Sequence, residues 1–241
     1  MYSMRELIIP PLLIEQVYRE IVEAICDGRL APNERFTQDS LAVRFNVSRQ
    51  PVGQAIGLLK AQGLVCEAGR RGLKVAPLEP IYVGELYEMR GALDKLAAGL
   101  AARRAGSEVT ARAKPIFKAA QTALEQGDMA GLIAADTAFH TFIYELSGNQ
   151  VLAKTMALHW THIRRIMRGI LSIEGYPREV WNEHRAILQA IALGDAKRAA
   201  RLARAHVVVS AELLLRQLKA GGERGAAGPS VVLPNTAVGK A

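Results

Sequence analysis

Four side chains in the second half of the chain could hold a metal ion. Asp136 and His140, in DTAFH, are four residues apart and so share one face of a helix. His184 follows Glu183 in EHRAIL, and His206 lies inside the apolar run RLARAHVVV. A histidine in such a run is ordinarily a core residue with one hydrogen bond, and His206 alone reads best that way. Together, one carboxylate and three imidazoles suit a borderline divalent ion, provided that their helices fold back on one another. His159 and His162 also share a helix face, in LHWTHIRRIM, and read as surface or pocket-wall residues, with a ligand contact as the alternative. Trp160 and Trp181 read as core or pocket wall.

A different chemistry is written nearer the start. NVSRQPVGQAIGLLKAQGLV, residues 46–65, reads as a short helix that buries Ile56, Leu58 and Leu59. It opens on Arg49 and Gln50 and carries Gln54 on its polar side. An arginine at such a place can bond guanine bidentately, and a glutamine can do the same to adenine. Arg70 and Arg71, in the tight turn GRRG, suit phosphates or a minor groove. The alternative is a small helical adaptor with a solvated polar face.

The elements that must position these groups follow from periodicity and punctuation. LLIEQVYREIVEAICDG has apolar residues at helical spacing (Leu13, Val17, Ile21, Val22, Ile25) and stops at Gly28. RLAPNE is a turn. Thr37 can cap the helix QDSLAVRF, and Ser48 the helix beginning at Arg49, with Pro51 in its first turn. LVCEAG and GLKVAPL read as two strands around the basic turn. Three helices and a two-stranded wing make the winged form of helix-turn-helix, whose second paired helix enters the major groove. LEP at 78–80 punctuates the chain, and six helical segments separated by Gly, Asp or Pro follow, predicting an all-α bundle. The fold expected is therefore mostly α: a winged helix-turn-helix over 10–76, a linker over 77–83, a helical effector domain over 84–220, and a disordered tail over 221–241.

Composition bounds the function without choosing it. The chain has 241 residues, half of them apolar, enough for two modest cores. No apolar run is long enough for a membrane span, and MYSMRELIIPPLL lacks a secretory pattern, so a cytoplasmic location with no membrane partner is expected. Cys26 and Cys66 make no disulfide framework and read as buried thiols. The net charge of +8 favours a polyanionic partner, but residues 1–76 hold 10 Lys/Arg against 8 Asp/Glu. A DNA-binding reading rests on placement, not on total charge.

The stretch LAPNERFTQDSLAVRFNVSRQPVGQAIGLLKAQGLVCEAGRRGLKVAP resembles the N-terminal winged helix of the GntR family of bacterial transcription regulators. Members typically show a Leu-x-Pro-Gly turn, a Leu-Ala-x-x-Leu/Phe-x-Val-Ser-Arg segment, a Pro-Val-Arg-Glu-Ala helix and an Arg-Gly-x-x-Val wing. Asn33 stands where the family usually has Gly, and Gly53 where it usually has Arg. The resemblance implies DNA contacts from Arg35, Ser48, Arg49, Gln50 and Gln54, and from Arg70, Arg71 and Gly72 of the wing. Residues 84–218 resemble the family's FCD effector domain, as carried by the fatty-acid regulator and its relatives, through ELYEMRGALDKLAA, DTAFHTFIYELSGNQVL and EHRAILQAIALGDAKRAARLARAH. In metal-binding members, residues matching Asp136, His140, His184 and His206 hold the ion. This implies one divalent ion per chain, with zinc, nickel and manganese all suited to the donor set. Arg90 matches an arginine common in that domain's first helix; it, and less specifically Arg164 and His162, are the expected effector contacts.

These features distinguish a sensor from an enzyme. An enzyme would need a general base beside a metal-activated water. Glu183, adjacent in chain to His184, points to a different helix face, and no other carboxylate is forced to be near. A sensor needs only open metal positions for a carboxylate oxygen and an arginine to match its charge. The expectation is a ligand-responsive regulator, more simply a repressor released by a small carboxylic acid. It would act as a homodimer on a palindromic operator in double-stranded DNA. A metal-dependent enzyme acting on such an acid, or a non-catalytic interaction protein, is the alternative.

Overall fold

The computed structural model describes residues 13–69, 72–106 and 108–224. Helix α1 (Leu13–Cys26) buries Val17, Ile21, Val22 and Ile25, but Leu13 is 46% exposed at its first turn. The chain leaves α1 through Gly28, at φ +79, a conformation that costs a residue with a Cβ about 1 kcal/mol or more. Asn33 supplies the next left-handed position, at φ +66, where its side chain accepts a bond from Lys74.

Strand β1 (Arg35–Phe36) then pairs with β3 (Leu73–Val75), which also pairs with β2 (Val65–Glu67); both pairings are antiparallel. The sheet thus has three strands, in the order β1-β3-β2, where the sequence predicts a two-stranded wing. Burying Phe36 brings its backbone alongside the free edge of β3, and pairing satisfies groups that would otherwise stay open.

Helix α2 (Gln38–Phe45) starts at a capping box, with Thr37 Oγ1 accepting from the Ser40 N–H and Ser40 Oγ accepting from the Thr37 N–H. Helix α3 (Arg49–Ala61) follows Asn46, at φ +53, and Ser48. Ser48 has the extended backbone of an N-cap, but its side chain makes no cap bond. The buried side of α3 is Val52, Ala55, Ile56 and Leu59; Leu58 is 49% exposed because it falls outside that stripe.

Six helices build the second unit: α4 (Pro80–Arg104), α5 (Val109–Gln126), α6 (Met129–Leu146), α7 (Gln150–Leu171), α8 (Tyr176–Ala192) and α9 (Ala196–Arg224). Two ends differ from expectation. Proline at the first helical position starts α4 at Pro80, inside the segment read as linker. At the other end α9 runs to Arg224, four residues into the segment read as tail; residues 225–241 lie outside the described residues.

Helix α6 is apolar on most sides because it runs through the bundle, against α4, α5 and α7. Its buried polar exceptions, Asp136 and His140, therefore need partners inside the core. Among the described residues, no helix is long and apolar enough to cross a membrane.

The two units meet along α1 and α7. Arg164 takes both carboxylate oxygens of Glu23, at 2.8 and 2.5 Å. Arg165 donates to the Ala76 carbonyl, Arg168 to that of Asp27, and His162 Nε2 lies 2.9 Å from that of Gln62. The Cys26 thiol, pushed up to about 11 by burial, faces the Thr161 carbonyl. Gly28 is needed a second time here, since a Cβ would run into the Arg168 guanidinium.

Candidate metal centre and DNA-reading surface

Helices α6, α8 and α9 bring His140, His184 and His206 together, with one nitrogen from each lying within 4.8 Å of the others. His184 Nε2 stands 3.3 Å from His206 Nε2 and 3.5 Å from Asp136 Oδ1; His140 Nε2 is 3.6 Å from Asp136 Oδ2. Ligand atoms about 2.1 Å from a common centre lie roughly 3.0–3.4 Å apart, so these spacings approximate the edges of a coordination polyhedron. All four side chains are buried, and His140 Nε2 has no hydrogen-bond partner. The donor set fits a divalent ion.

The electrostatics agree with that use. Burial pushes the His184 imidazole well below its usual range, and the neighbouring His206, His140 and Arg90 add to the shift. His140 is lowered for the same first reason, with Arg90 second, against the opposing pull of Asp136 and Asp94. Both rings are thus held neutral, with a lone pair to donate. Phe139 stacks on the His184 ring at 4.0 Å, and Trp181 meets it edge-on. Those contacts fix the ring's plane.

Two carboxylates that sequence reading did not select orient the cluster. Asp94 Oδ2 lies 3.1 Å from His140 Nδ1, and Glu183 Oε2 lies 2.6 Å from His206 Nδ1. A carboxylate on the outer nitrogen of a ligating histidine sets its tautomer and raises its basicity. Glu183 does diverge from His184 along α8, but that direction takes it to the next helix, where it meets His206. The available signal for Asp94 was its place one turn after Arg90 on α4, which puts the pair on one face.

Arg90 is 2% exposed and donates to Tyr87 Oη at 3.1 Å, while Nε and Nη2 have no hydrogen-bond partner. Burial opposes its charge, and the neighbouring carboxylates of Asp94 and Asp136 favour it. It borders a cavity of about 10 Å³ lined also by Tyr87, Asp136, His206 and Ser210, with Met167, Ile170 and Leu171 from α7. That is room for about one water. His162 and Arg164 are not in this cavity: His162 meets the Gln62 carbonyl and Arg164 the Glu23 carboxylate, both in the winged unit.

In the winged unit Arg35, Ser48, Arg49, Gln50 and Gln54 are all exposed. Arg49 Nε meets Asp39 Oδ1 at 2.6 Å. Gly72 closes the wing turn: its carbonyl accepts from the Ala68 N–H, and a Cβ there would strike the Ala68 carbonyl oxygen at 2.7 Å. Arg70 and Arg71 lie outside the described residues.

Comparison with known proteins follows the same division. The model for bacterial regulatory proteins of the gntR family matches residues 13–75, and the FCD domain model matches residues 85–208. The chain is 28% identical to the HTH-type transcriptional regulator YdhC of Bacillus subtilis (strain 168), over 86% of this chain and 93% of that protein. It is 25% identical to the HTH-type transcriptional repressor GlaR of Escherichia coli (strain K12), over 85% of this chain and 96% of that one. The solved structure of E. coli McbR/YncC shares the fold, with a TM-score of 0.71 at 21% identity, covering 86% of this chain and 98% of that one. A winged reader joined to a helical ligand-binding bundle with a buried three-histidine cluster is thus matched in both halves, and the chain belongs to the GntR family of DNA-binding transcription regulators, with an FCD effector domain.

Proposed function

We propose that this regulator senses a small carboxylic acid at a divalent metal held by Asp136, His140, His184 and His206, and that the acid releases it from its operator. The supporting observation is a convergence of open positions: one nitrogen from each of three imidazoles within 4.8 Å of the others, and beside them Arg90 Nε and Nη2, which have no hydrogen-bond partner. When bound, the ion supplies a Lewis-acid position for one carboxylate oxygen. Arg90 matches the acid's charge from the cavity side, where a buried guanidinium forms its strongest hydrogen bonds with a carboxylate. Asp94 and Glu183 hold their histidines in the ligating tautomer.

The route to the reader runs through α7. A cavity with room for one water cannot take an acid of several atoms unless a wall moves, and Met167, Ile170 and Leu171 are one wall. The same helix carries Arg164, Arg165 and Arg168, which grip the winged unit. A ligand that distinguishes two placements of α7 therefore distinguishes two placements of the reader. On DNA, Arg49, Gln50 and Gln54 read bases in the major groove, while Arg35 and the wing residues Arg70, Arg71 and Gly72 lie along the backbone or minor groove. A homodimer on a palindromic operator, inside the cytoplasm, completes the reading.

Metal analysis of untagged protein tests it. About one ion per chain is expected in the wild type, most of it lost in His184→Ala. Full metal retention in that variant would show the site to be misassigned, and steady consumption of a carboxylic acid by the wild type would replace the sensor with an enzyme.

A further inference from the structure

The second turn of α3 carries a notch. A Cβ built on Gly53 would meet Gln38 Nε2 at 2.7 Å. The Gln38 amide fills that space because its Nε2 donates to the carbonyl of Arg49, also at 2.7 Å. The next residue of α2, Asp39, takes the Arg49 side chain through Nε. Two consecutive residues at the start of α2 thus hold the backbone and the guanidinium of the first residue of α3.

Stability does not account for this arrangement. The Asp39–Arg49 pair is more than half exposed on both sides, and exposed pairs of this kind contribute little to folding. Alanine at position 53 would be the better helix former. What the contacts do is restrict a long, flexible side chain. With Nε in an ion pair with Asp39, the range open to the Arg49 guanidinium is narrowed, and a base-reading arginine restricted in advance loses less freedom on docking.

We propose that Gln38 and Asp39 are positioning residues for operator reading, and that Gly53 determines specificity by leaving the notch that seats Gln38. This rests on the reading of α3 as the helix that meets DNA bases. A side chain at position 53 displaces only the flexible end of Gln38, so the protein still folds, but Arg49 loses a tether and meets more than one base.

Full-length wild-type protein is used to enrich duplexes from a random-sequence pool. The selected duplex, each of its single-base variants and an unselected duplex are then titrated with wild type, Gly53→Ala, Gln38→Ala, Gln38→Glu, Asp39→Ala and the double variant Gln38→Ala/Gly53→Ala. Discrimination at one base pair per half-site should fall by about tenfold in each single variant. The double variant should be no worse than Gly53→Ala alone, because both changes remove the same contact. Gln38→Glu should behave as Gln38→Ala, since a carboxylate cannot donate to the Arg49 carbonyl. The melting temperature of Gly53→Ala should be unchanged or higher. Wild-type base ranking in Gly53→Ala and Gln38→Glu, or equal loss on selected and unselected duplexes, would overturn the positioning role. A wild type that enriches no sequence would instead remove the reading of α3 itself, and the proposal with it.

Discussion

The two halves of the molecule handle charge in opposite ways. In the bundle, Arg90, Asp94, Asp136, His140, His184 and His206 are at most 6% exposed and crowd one another. In the winged unit, Arg35, Arg49, Gln50 and Gln54 stand in solvent, and Arg49 pairs with Asp39. Buried polar groups are costly unless satisfied, so the bundle's cluster must be completed by partners, and its protein partners leave particular atoms open. Exposed groups cost nothing while they wait. On the proposed function, the difference separates a site for a small ligand from a surface for a large polyanion.

The largest effect is expected on the buried side. Stripping the metal from wild-type protein should lower its unfolding free energy by about 4 kcal/mol where free metal had stood about a thousandfold above its dissociation constant. A chelator titration followed by thermal melting checks this; an unchanged melting temperature would mean the cluster is complete without an ion. Next in size, Arg49→Ala should weaken specific operator binding by roughly 1–3 kcal/mol per half-site and relax preference at one base pair. Mobility-shift titration at fixed salt measures it, and equal loss on random DNA would leave Arg49 touching phosphate alone.

Acid should also separate the two halves. His140 and His184 have folded pKa values below the usual imidazole value of about 6.5, so the unfolded chain binds more protons there. The stability that they contribute is full above that pH and is lost as pH falls from it toward the lower folded values. Metal-free protein melted across that window should lose stability steeply, and a flat profile would mean that the rings titrate alike in the folded and unfolded chain. Among the smallest effects, removing Arg70 and Arg71 together should lower the slope of log K against log salt by up to about 2. An unchanged slope takes the wing out of the interface. Arg164→Ala should cost only about 0.2–1 kcal/mol of global stability, because Glu23 is half exposed, but it should blunt the operator's response to ligand.

What the sequence made legible follows the physics of each region. Helix positions came through where Gly28, Thr37 and Pro51 act through local backbone chemistry that is visible in a few residues. Asp136 and His140 could be placed on one face from spacing alone, and family resemblance was needed to join them to His184 and His206. Glu183 escaped because adjacency in chain excludes a shared face, and nothing in the sequence says which neighbouring helix receives the other face. The contacts of His162 and Arg164 with the winged unit were hidden for a similar reason. Periodicity identifies a side of α7 but not whether that side meets a cavity or a second domain. Strand β1 was missed because two residues carry too little pattern, and pairing with β3 depends on a contact distant in sequence.

On the proposed function, the buried cluster governs the exposed surface. The most direct test measures operator affinity by fluorescence anisotropy across a panel of small mono- and dicarboxylates, with metal-loaded and chelator-treated protein side by side. At least one acid should weaken binding by tenfold or more in the loaded protein and leave the treated protein unchanged. An identical response in both preparations would contradict the claim, because the acid would then act somewhere other than at Asp136, His140, His184 and His206.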